Sequence, residues 1–258
     1  MLRVNIRMKT GELTAVDLFC GCGGLTEGFR QAGFNILLGI DTDKWALETY
    51  NRHHENKGIF ADIVDIDAAS IFRKTGSRNI DVLIGGPPCQ AFSSIAVAKW
   101  KSIGLPGTLS HPLNKLYKEF LRLVSELNPK FFVIENVERM IHIKNGLVKQ
   151  VIEFTLGQRY NISFYKKDCA EFGVPQHRKR VLVIGNRLGC GNPQITRNLS
   201  GDSSTKYVSV CDAISDLPSI KSNKGNEYMK YPRRKAISAY AKERRIGSMA
   251  VQLRIEFP

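Results

Sequence analysis

The sequence predicts an α/β protein built on a doubly wound, mostly parallel sheet, and three observations predict it. Short β-rich apolar runs alternate with longer amphipathic stretches along most of the chain. One of the amphipathic stretches, 116–127, places Leu116, Phe120, Leu123, Val124 and Leu127 on one face at helical spacing. A glycine-rich turn stands between the first apolar run and the first helical stretch.

The elements follow in order. Leu13–Phe19 is the first strand, and Leu25–Ala32 is the helix opened by the glycine turn. Ile36–Ile40 is a continuous apolar run and the second strand, followed by the helix Lys44–Tyr50 and the strand Gly58–Ala61. Ile80–Ile84 comes next, then the helix Leu116–Leu127, the strand Lys130–Ile134 and the helix Gly146–Leu156. Asn161–Tyr165 and Arg180–Gly185 complete the strands. After about Asn186 the pattern degrades into polar, turn-rich sequence, broken by the apolar segment Tyr207–Leu217 and by a short basic helix over 233–245. The expected organisation is therefore a catalytic domain over 1–190 and an incomplete second domain over 191–258.

Composition narrows the class. Hydrophobic residues make up 43% of the 258, enough for a buried core, and no apolar run approaches the length of a spanning helix. Neither is there an apolar stretch of signal-peptide length at the start, so a soluble, cytoplasmic protein is expected, nucleoid-associated if bacterial. Six scattered cysteines form no disulfide or zinc framework, so reduced thiols and no metal site are expected. The net charge is +14, and it is unevenly placed. Residues 1–90 hold 10 Lys+Arg against 11 Asp+Glu, whereas 91–258 hold 28 against 13. That asymmetry suggests a near-neutral ligand-binding half and a polyanion-facing surface, or more simply a solvated basic face.

Four segments carry candidate chemistry at strand ends, where ligands of such sheets sit. The first is Asp17-Leu18-Phe19-Cys20-Gly21-Cys22-Gly23-Gly24, whose glycines allow close backbone approach and whose following helix favours a carboxylate at its N-terminus. Asp41, 20 residues beyond Gly21, is placed to bind both hydroxyls of a ribose, and Asp62 to accept from an adenine amino group. This fits NAD-, FAD- or S-adenosylmethionine-binding sheets, but Glu27 stands where a dinucleotide fingerprint needs a small third residue. The second segment is Gly85-Gly86-Pro87-Pro88-Cys89-Gln90, in which two prolines fix the direction of a cysteine at the sheet edge. The third is Glu135-Asn136-Val137, read as lying just after its strand, where a desolvated carboxyl can hold a proton to donate. The fourth is Gln176-His177-Arg178-Lys179-Arg180, whose guanidinium groups suit a base carbonyl or a phosphate.

DLFCGCGG, GGPPCQAFS, ENV and QHRKR, in this order and at these separations, resemble the signature motifs of DNA (cytosine-5) methyltransferases of the bacterial restriction-modification type. The resemblance runs from residue 14 to about 187, and PPCQ-x-FS followed by ENV is its specific part. It implies a Rossmann-like fold that binds S-adenosyl-L-methionine. Asp17, Phe19, Gly21, Gly23, Gly24, Leu25, Asp41, Thr42, Asp62, Ile63, Pro88 and Leu116 are the implied cofactor contacts. The same resemblance implies that Cys89 adds to C6 of a cytosine flipped out of double-stranded DNA. Glu135, with Asn136 beside it, would then address N3 and the exocyclic amine, and Arg178 the O2 side, supported by Arg180. Residues 91–113 fit a lid that closes over DNA, and Tyr207–Pro218 is similar to the segment before the family's target-recognition region.

Two departures stand out. The target-recognition domain, an arginine- and glutamine-bearing motif and a Gln-x-Gly-Asn segment of the family do not appear before Pro258. A split enzyme that needs a second chain, or a truncated product, is therefore expected. Asp41 also stands where many members have Glu, which shortens its reach. The alternatives are a tRNA cytosine-C5 methyltransferase on the same scaffold, which usually carries a Cys-Phe-Thr element next to ENV, and a subunit or remnant inactive without its partner. A nicotinamide oxidoreductase fails, because nothing in its chemistry needs the Pro-Pro-Cys loop.

Overall fold

The computed structural model describes residues 13–88, 116–195, 207–221, 224–225, 229 and 238–242. The expected lid over 91–113 and Cys89 lie outside these residues, as does most of the expected basic helix, of which 239–242 is described and helical.

By internal contacts the chain divides into two units, one of residues 1–167 and 179–198, the other of 168–178 and 199–258. The first unit is a seven-stranded sheet with strands β1 (Thr14–Leu18), β2 (Asn35–Asp41), β3 (Gly58–Phe60), β4 (Val82–Gly85), β5 (Phe131–Val137), β6 (Asn161–Asp168) and β7 (Lys179–Asn186). Their order across the sheet is β3-β2-β1-β4-β5-β7-β6. The pairs among β1 to β5 are parallel, and β7 is antiparallel to β5. The strand sequence therefore reverses direction between β1 and β4, and the crevice at that reversal is where open α/β sheets bind ligands.

Helices α1 (Gly24–Gln31), α2 (Lys44–His53), α3 (Ala68–Thr75), α4 (Leu116–Leu127) and α5 (Leu147–Leu156) cover the sheet. One face packs Val16, Leu18, Phe132 and Ile134 against Ile71 of α3, Phe120 and Val124 of α4 and Ile152 of α5. The other packs Ala15, Ile36, Val82, Ile84 and Phe131 against Leu25 and Phe29 of α1. Strands buried on both sides read as unbroken apolar runs, as ILLGI and VLIG do. Asp43 caps α2 by accepting from the amides of Trp45 and Ala46, and Asp67 caps α3 by accepting from that of Ser70.

Most element ends differ from the sequence reading by one to three residues, α2 running on to His53 and β6 to Asp168. Helix α3 is additional. Gly146 precedes α5 in a left-handed conformation, φ 81°, rather than beginning it. Most consequential, β5 continues through Glu135 and Asn136 to Val137, because β7 pairs with it along its whole length, Val137 facing Arg180. Glu135 and Asn136 thus occupy strand positions with side chains on opposite faces, not a loop after the strand.

In the second unit, Asp168 caps the 3₁₀ turn Cys169–Phe172, which ends at Gly173 with φ 82°. The short helix α6 (Val210–Ile214) opens with a reciprocal capping box between Ser209 and Asp212. Among the described residues no helix is long and apolar enough to cross a membrane.

Candidate active site

A cleft of about 560 Å³ opens along the C-terminal edges of the strands. Its walls are Phe19 after β1, Ile40, Asp41 and Thr42 at the end of β2, Ala61 to Val64 after β3, Gly86 and Pro88 after β4, and Leu116 and Glu119 of α4. The volume lies in the range of small-molecule sites. Seven expected cofactor residues, Phe19, Asp41, Thr42, Asp62, Ile63, Pro88 and Leu116, are brought together here. Phe19 reaches the wall with φ 61°, a left-handed conformation that costs an aromatic residue about 1–3 kcal/mol and gathers at functional sites.

Asp17, Gly21, Gly23, Gly24 and Leu25 are not part of this wall. Asp17 lies fully buried beneath the turn, where one carboxylate oxygen accepts from the Thr26 amide at 3.2 Å and hydroxyl at 2.7 Å. With the Thr26 proton so committed, the Tyr50 hydroxyl donates to Thr26 Oγ1 at 3.2 Å. Burial pushes the Asp17 carboxyl up to about 7 against the opposing pull of those Thr26 bonds. Its other oxygen, Oδ1, is buried with no hydrogen-bond partner. Gly23, at φ 93°, sits so close to His54 that a Cβ would lie 2.4 Å from Nε2 of that ring. Leu25 faces a separate apolar cleft with Phe29, Phe131 and Leu182. Burial also pushes the Cys20 thiol well above its usual range, which removes it as a nucleophile.

Gly21 ties the turn to β2, its amide donating to Asp41 Oδ2 at 2.8 Å, while Asp41 Oδ1 accepts from the Asp43 amide at 2.8 Å. Asp62 Oδ1 accepts from the Val64 amide at 3.0 Å. Each carboxylate keeps acceptor capacity for a ligand, since an ionised carboxylate offers about four lone-pair sites. An aromatic ring, apolar walls and two acids suit an adenosine moiety, so the residues present fit S-adenosylmethionine.

Beside the cleft, the loop after β4 is clamped. Asn136, only 3% exposed, donates from Nδ2 to the Pro87 carbonyl at 3.0 Å, and its Oδ1 accepts from the Val137 amide at 2.8 Å. Cys89 follows Pro88 directly in sequence. On the other face of β5, Glu135 Oε1 lies 2.7 Å from Arg180 Nε. The register explains this contact: Glu135 faces Leu182 and Arg180 faces Val137, so the two long side chains are diagonal neighbours. A Cβ on Gly86 would lie 3.3 Å from Glu135 Oε2, so the carboxylate stands against the loop. Glu135 is 31% exposed and ion-paired with Arg180. The strand extension is the cause, since it delivers a guanidinium to it.

Arg178 belongs to the second unit, where its backbone is held on both sides. Its amide donates to Asp168 Oδ1 at 2.9 Å and its carbonyl accepts from the Cys169 amide at 3.1 Å. His177 Nδ1 lies 3.0 Å from Asp168 Oδ2. The His177 bond, helped by the Ala170 and Arg178 amides, holds the Asp168 carboxyl down at about 2.

The sequence reading missed Ile40, Ala61, Val64 and Glu119 of the cleft wall, and Asp168, and it named Gly86 only as part of the cysteine loop. Ile40, Ala61 and Val64 adjoin residues it named as cofactor contacts, so their positions one step along a strand end were a usable signal. Glu119 lies one helical turn from Leu116, a signal of the same kind.

The model of the family described as C-5 cytosine-specific DNA methylase matches residues 13–251. The chain is 35% identical over 227 residues to the type II methyltransferase M.DdeI of Desulfomicrobium norvegicum, covering 85% of this chain and 52% of that protein. It is 36% identical to M.NgoFVII of Neisseria gonorrhoeae, covering 88% of this chain and 58% of the relative. The chain thus spans about half the length of these curated relatives. M.AquIA of a Picosynechococcus strain is 34% identical, and 80% of this chain covers 90% of it. Among solved structures, an E. coli prophage protein assigned as a DNA modification methyltransferase superposes with TM-score 0.68 at 29% identity, over 87% of this chain and 62% of that one. The S. pombe Dnmt2 methyltransferase, at 20% identity and TM-score 0.55 over 72% of this chain and 52% of that one, shares the fold. The motifs carried on the strand ends and a family model spanning nearly all of the sequence agree: the chain belongs to the C-5 cytosine-specific DNA methylase family.

Proposed function

We propose that this protein transfers a methyl group from S-adenosyl-L-methionine to C5 of a cytosine flipped out of double-stranded DNA, as the modification enzyme of a bacterial restriction-modification system acting in the cytoplasm. The observation that carries the reading is the Glu135–Arg180 pair standing against the loop of Gly86 to Pro88, which ends one residue short of Cys89 and whose Gly86 and Pro88 line the cleft.

Bound S-adenosylmethionine supplies an electrophilic methyl group. Asp41 accepts from the ribose hydroxyls, Asp62 from the adenine amine, and Phe19 and Ile63 enclose the base. Carbon 5 of cytosine is a weak nucleophile, so Cys89, as thiolate, adds to C6 and pushes electron density to C5. Glu135 engages N3 and the exocyclic amine. Arg180, already against Glu135, takes the O2 side and offsets the charge that develops there. In this reading Arg180 takes the share the sequence alone assigned to Arg178. Once C5 has taken the methyl group, a base removes its proton, the freed electron pair re-forms the C5–C6 double bond, and Cys89 leaves C6 as thiolate. Asn136 holds the loop so that the sulfur meets the ring from one direction.

The test is incubation with labelled S-adenosylmethionine and unmodified DNA, followed by nucleoside analysis, with tRNA as a parallel substrate. The chain is assayed alone and with the product of the adjacent reading frame, which decides whether a second chain supplies target recognition. Label in 5-methyldeoxycytidine is expected; label only in N4-methylcytosine, in N6-methyladenine or in tRNA overturns the reading. Cys89→Ser is expected to abolish transfer and to leave cofactor affinity within about twofold, since the thiol acts on the base and not on the cofactor.

A further inference from the structure

Between the cleft and the solvent side of α4 stands Arg122, which no part of the proposed chemistry uses. Its Nε lies 2.7 Å from Glu119 and its Nη1 2.8 Å from Glu126, pairs at the three- and four-residue spacing of any charged helix face. Nη2 does something different: it crosses to another segment and donates to the carbonyl of Ile63 at 3.1 Å and to that of Ile66 at 2.8 Å. Glu126, the partner of Nη1, accepts from the Ala68 amide at 3.1 Å with its second oxygen. Glu119, the partner of Nε, is itself part of the cleft wall.

The segment so gripped is the 3₁₀ turn Ile63–Asp65, of which Ile63 and Val64, together with the cap Asp62, face the cleft. Three residues are too few for a self-supporting helical ladder. Inside the turn there are only the Asp65-to-Asp62 and Ile66-to-Ile63 backbone bonds, at 3.1 and 3.4 Å, and the Asp62 cap. Its position relative to α4 is therefore set from outside, by the burial of Ile63 and Ile66 in the core that α4 shares and by one guanidinium whose Nη2 holds the carbonyls of both residues. Exposed helix-face ion pairs contribute little to stability; a single Nη2 that donates to two carbonyls of a binding turn, on a guanidinium whose other nitrogens are anchored by Glu119 and Glu126, acts on geometry instead.

We propose that Arg122 is a positioning residue for the cofactor base: by holding turn 62–66 against α4 it sets the selectivity of the cleft for adenine. This rests on the reading of the cleft as an S-adenosylmethionine site. Asp62 accepts from an adenine amino group, whereas hypoxanthine presents a carbonyl oxygen at the same place and sets acceptor against acceptor. That discrimination survives only while the turn is held in register.

The test is calorimetric titration of the full chain with S-adenosylhomocysteine and with its hypoxanthine counterpart, alongside the melting temperature of the ligand-free protein. Wild type is expected to prefer the adenine compound. Arg122→Met is expected to weaken S-adenosylhomocysteine roughly tenfold while moving the hypoxanthine compound by less than about twofold, so the ratio collapses. Arg122→Lys keeps the charge but not the guanidinium that is anchored on Glu119 and Glu126 while Nη2 holds the turn, and falls between; it carries the test by itself if the Met variant does not fold. Loss of affinity equally for both ligands, or an unchanged ratio, overturns the proposal. A wild-type protein that binds both ligands alike overturns the adenine reading of the cleft and this proposal with it.

Discussion

Asn136 spends both ends of one buried amide on backbone, donating to Pro87 and accepting from Val137. Asn136→Ala would strand a carbonyl and an amide away from water, and is expected to cost about 1–3 kcal/mol of stability in urea unfolding. It also frees the loop that carries Cys89. A shift of about 1 Å at a reacting atom lowers turnover roughly a hundredfold, so kcat should fall by that order while cofactor affinity holds. Arg180→Lys is expected to lower kcat about 100- to 1000-fold in the same methyl-transfer assay, because an ammonium cannot face a carboxylate and a ring oxygen together as a planar fork does. The identities of these residues were legible from ENV and QHRKR. Their ties were not: the Asn136 clamp depends on β4 and β5 being neighbours with Gly85 facing Ile134, a register no local pattern states.

At the scale of the elements, β1, α1 and α2 are joined beneath the glycine turn by Asp17, Thr26 and Tyr50. An acid whose folded value is raised, here from 3.8 to about 7, binds its proton more tightly in the native state than in the unfolded one. Stability is therefore greatest below the unfolded value and falls as pH rises from about 4 to about 7, by up to about 1.4 kcal/mol per pH unit, then levels off. Asp17→Asn should flatten that slope in chemical denaturation followed across the interval; a slope equal to wild type would exclude Asp17 as its source. The strands were legible because burial on both faces writes itself as unbroken apolar sequence. The end of β5 was not, since Glu and Asn read locally as loop while pairing with β7 keeps them extended. Helix α3 was missed although its start carries a signal, the Asp67 cap, that the sequence reading did not use.

For the molecule as a whole, the excess of positive charge lies in residues 91–258, with 28 Lys+Arg against 13 Asp+Glu. Binding to DNA should then be governed by release of counterions from phosphates. A loss of about a thousandfold in affinity between 50 and 200 mM salt is expected for six or more phosphate contacts, measured by fluorescence anisotropy on unrelated duplexes. A shallow slope would assign the charge to a merely solvated surface. The strand that runs against β5 has a further consequence. Because β7 enters the sheet from the end where β5 leaves it, its first residues arrive beside the last residues of β5, and two segments some 45 positions apart in sequence meet at Glu135 and Arg180. A β7 of opposite polarity would leave that guanidinium roughly 25 Å away, at the far rim. A single amino acid inserted just downstream of Arg180 would turn it to the reverse side of the sheet, silencing the protein with every motif still present.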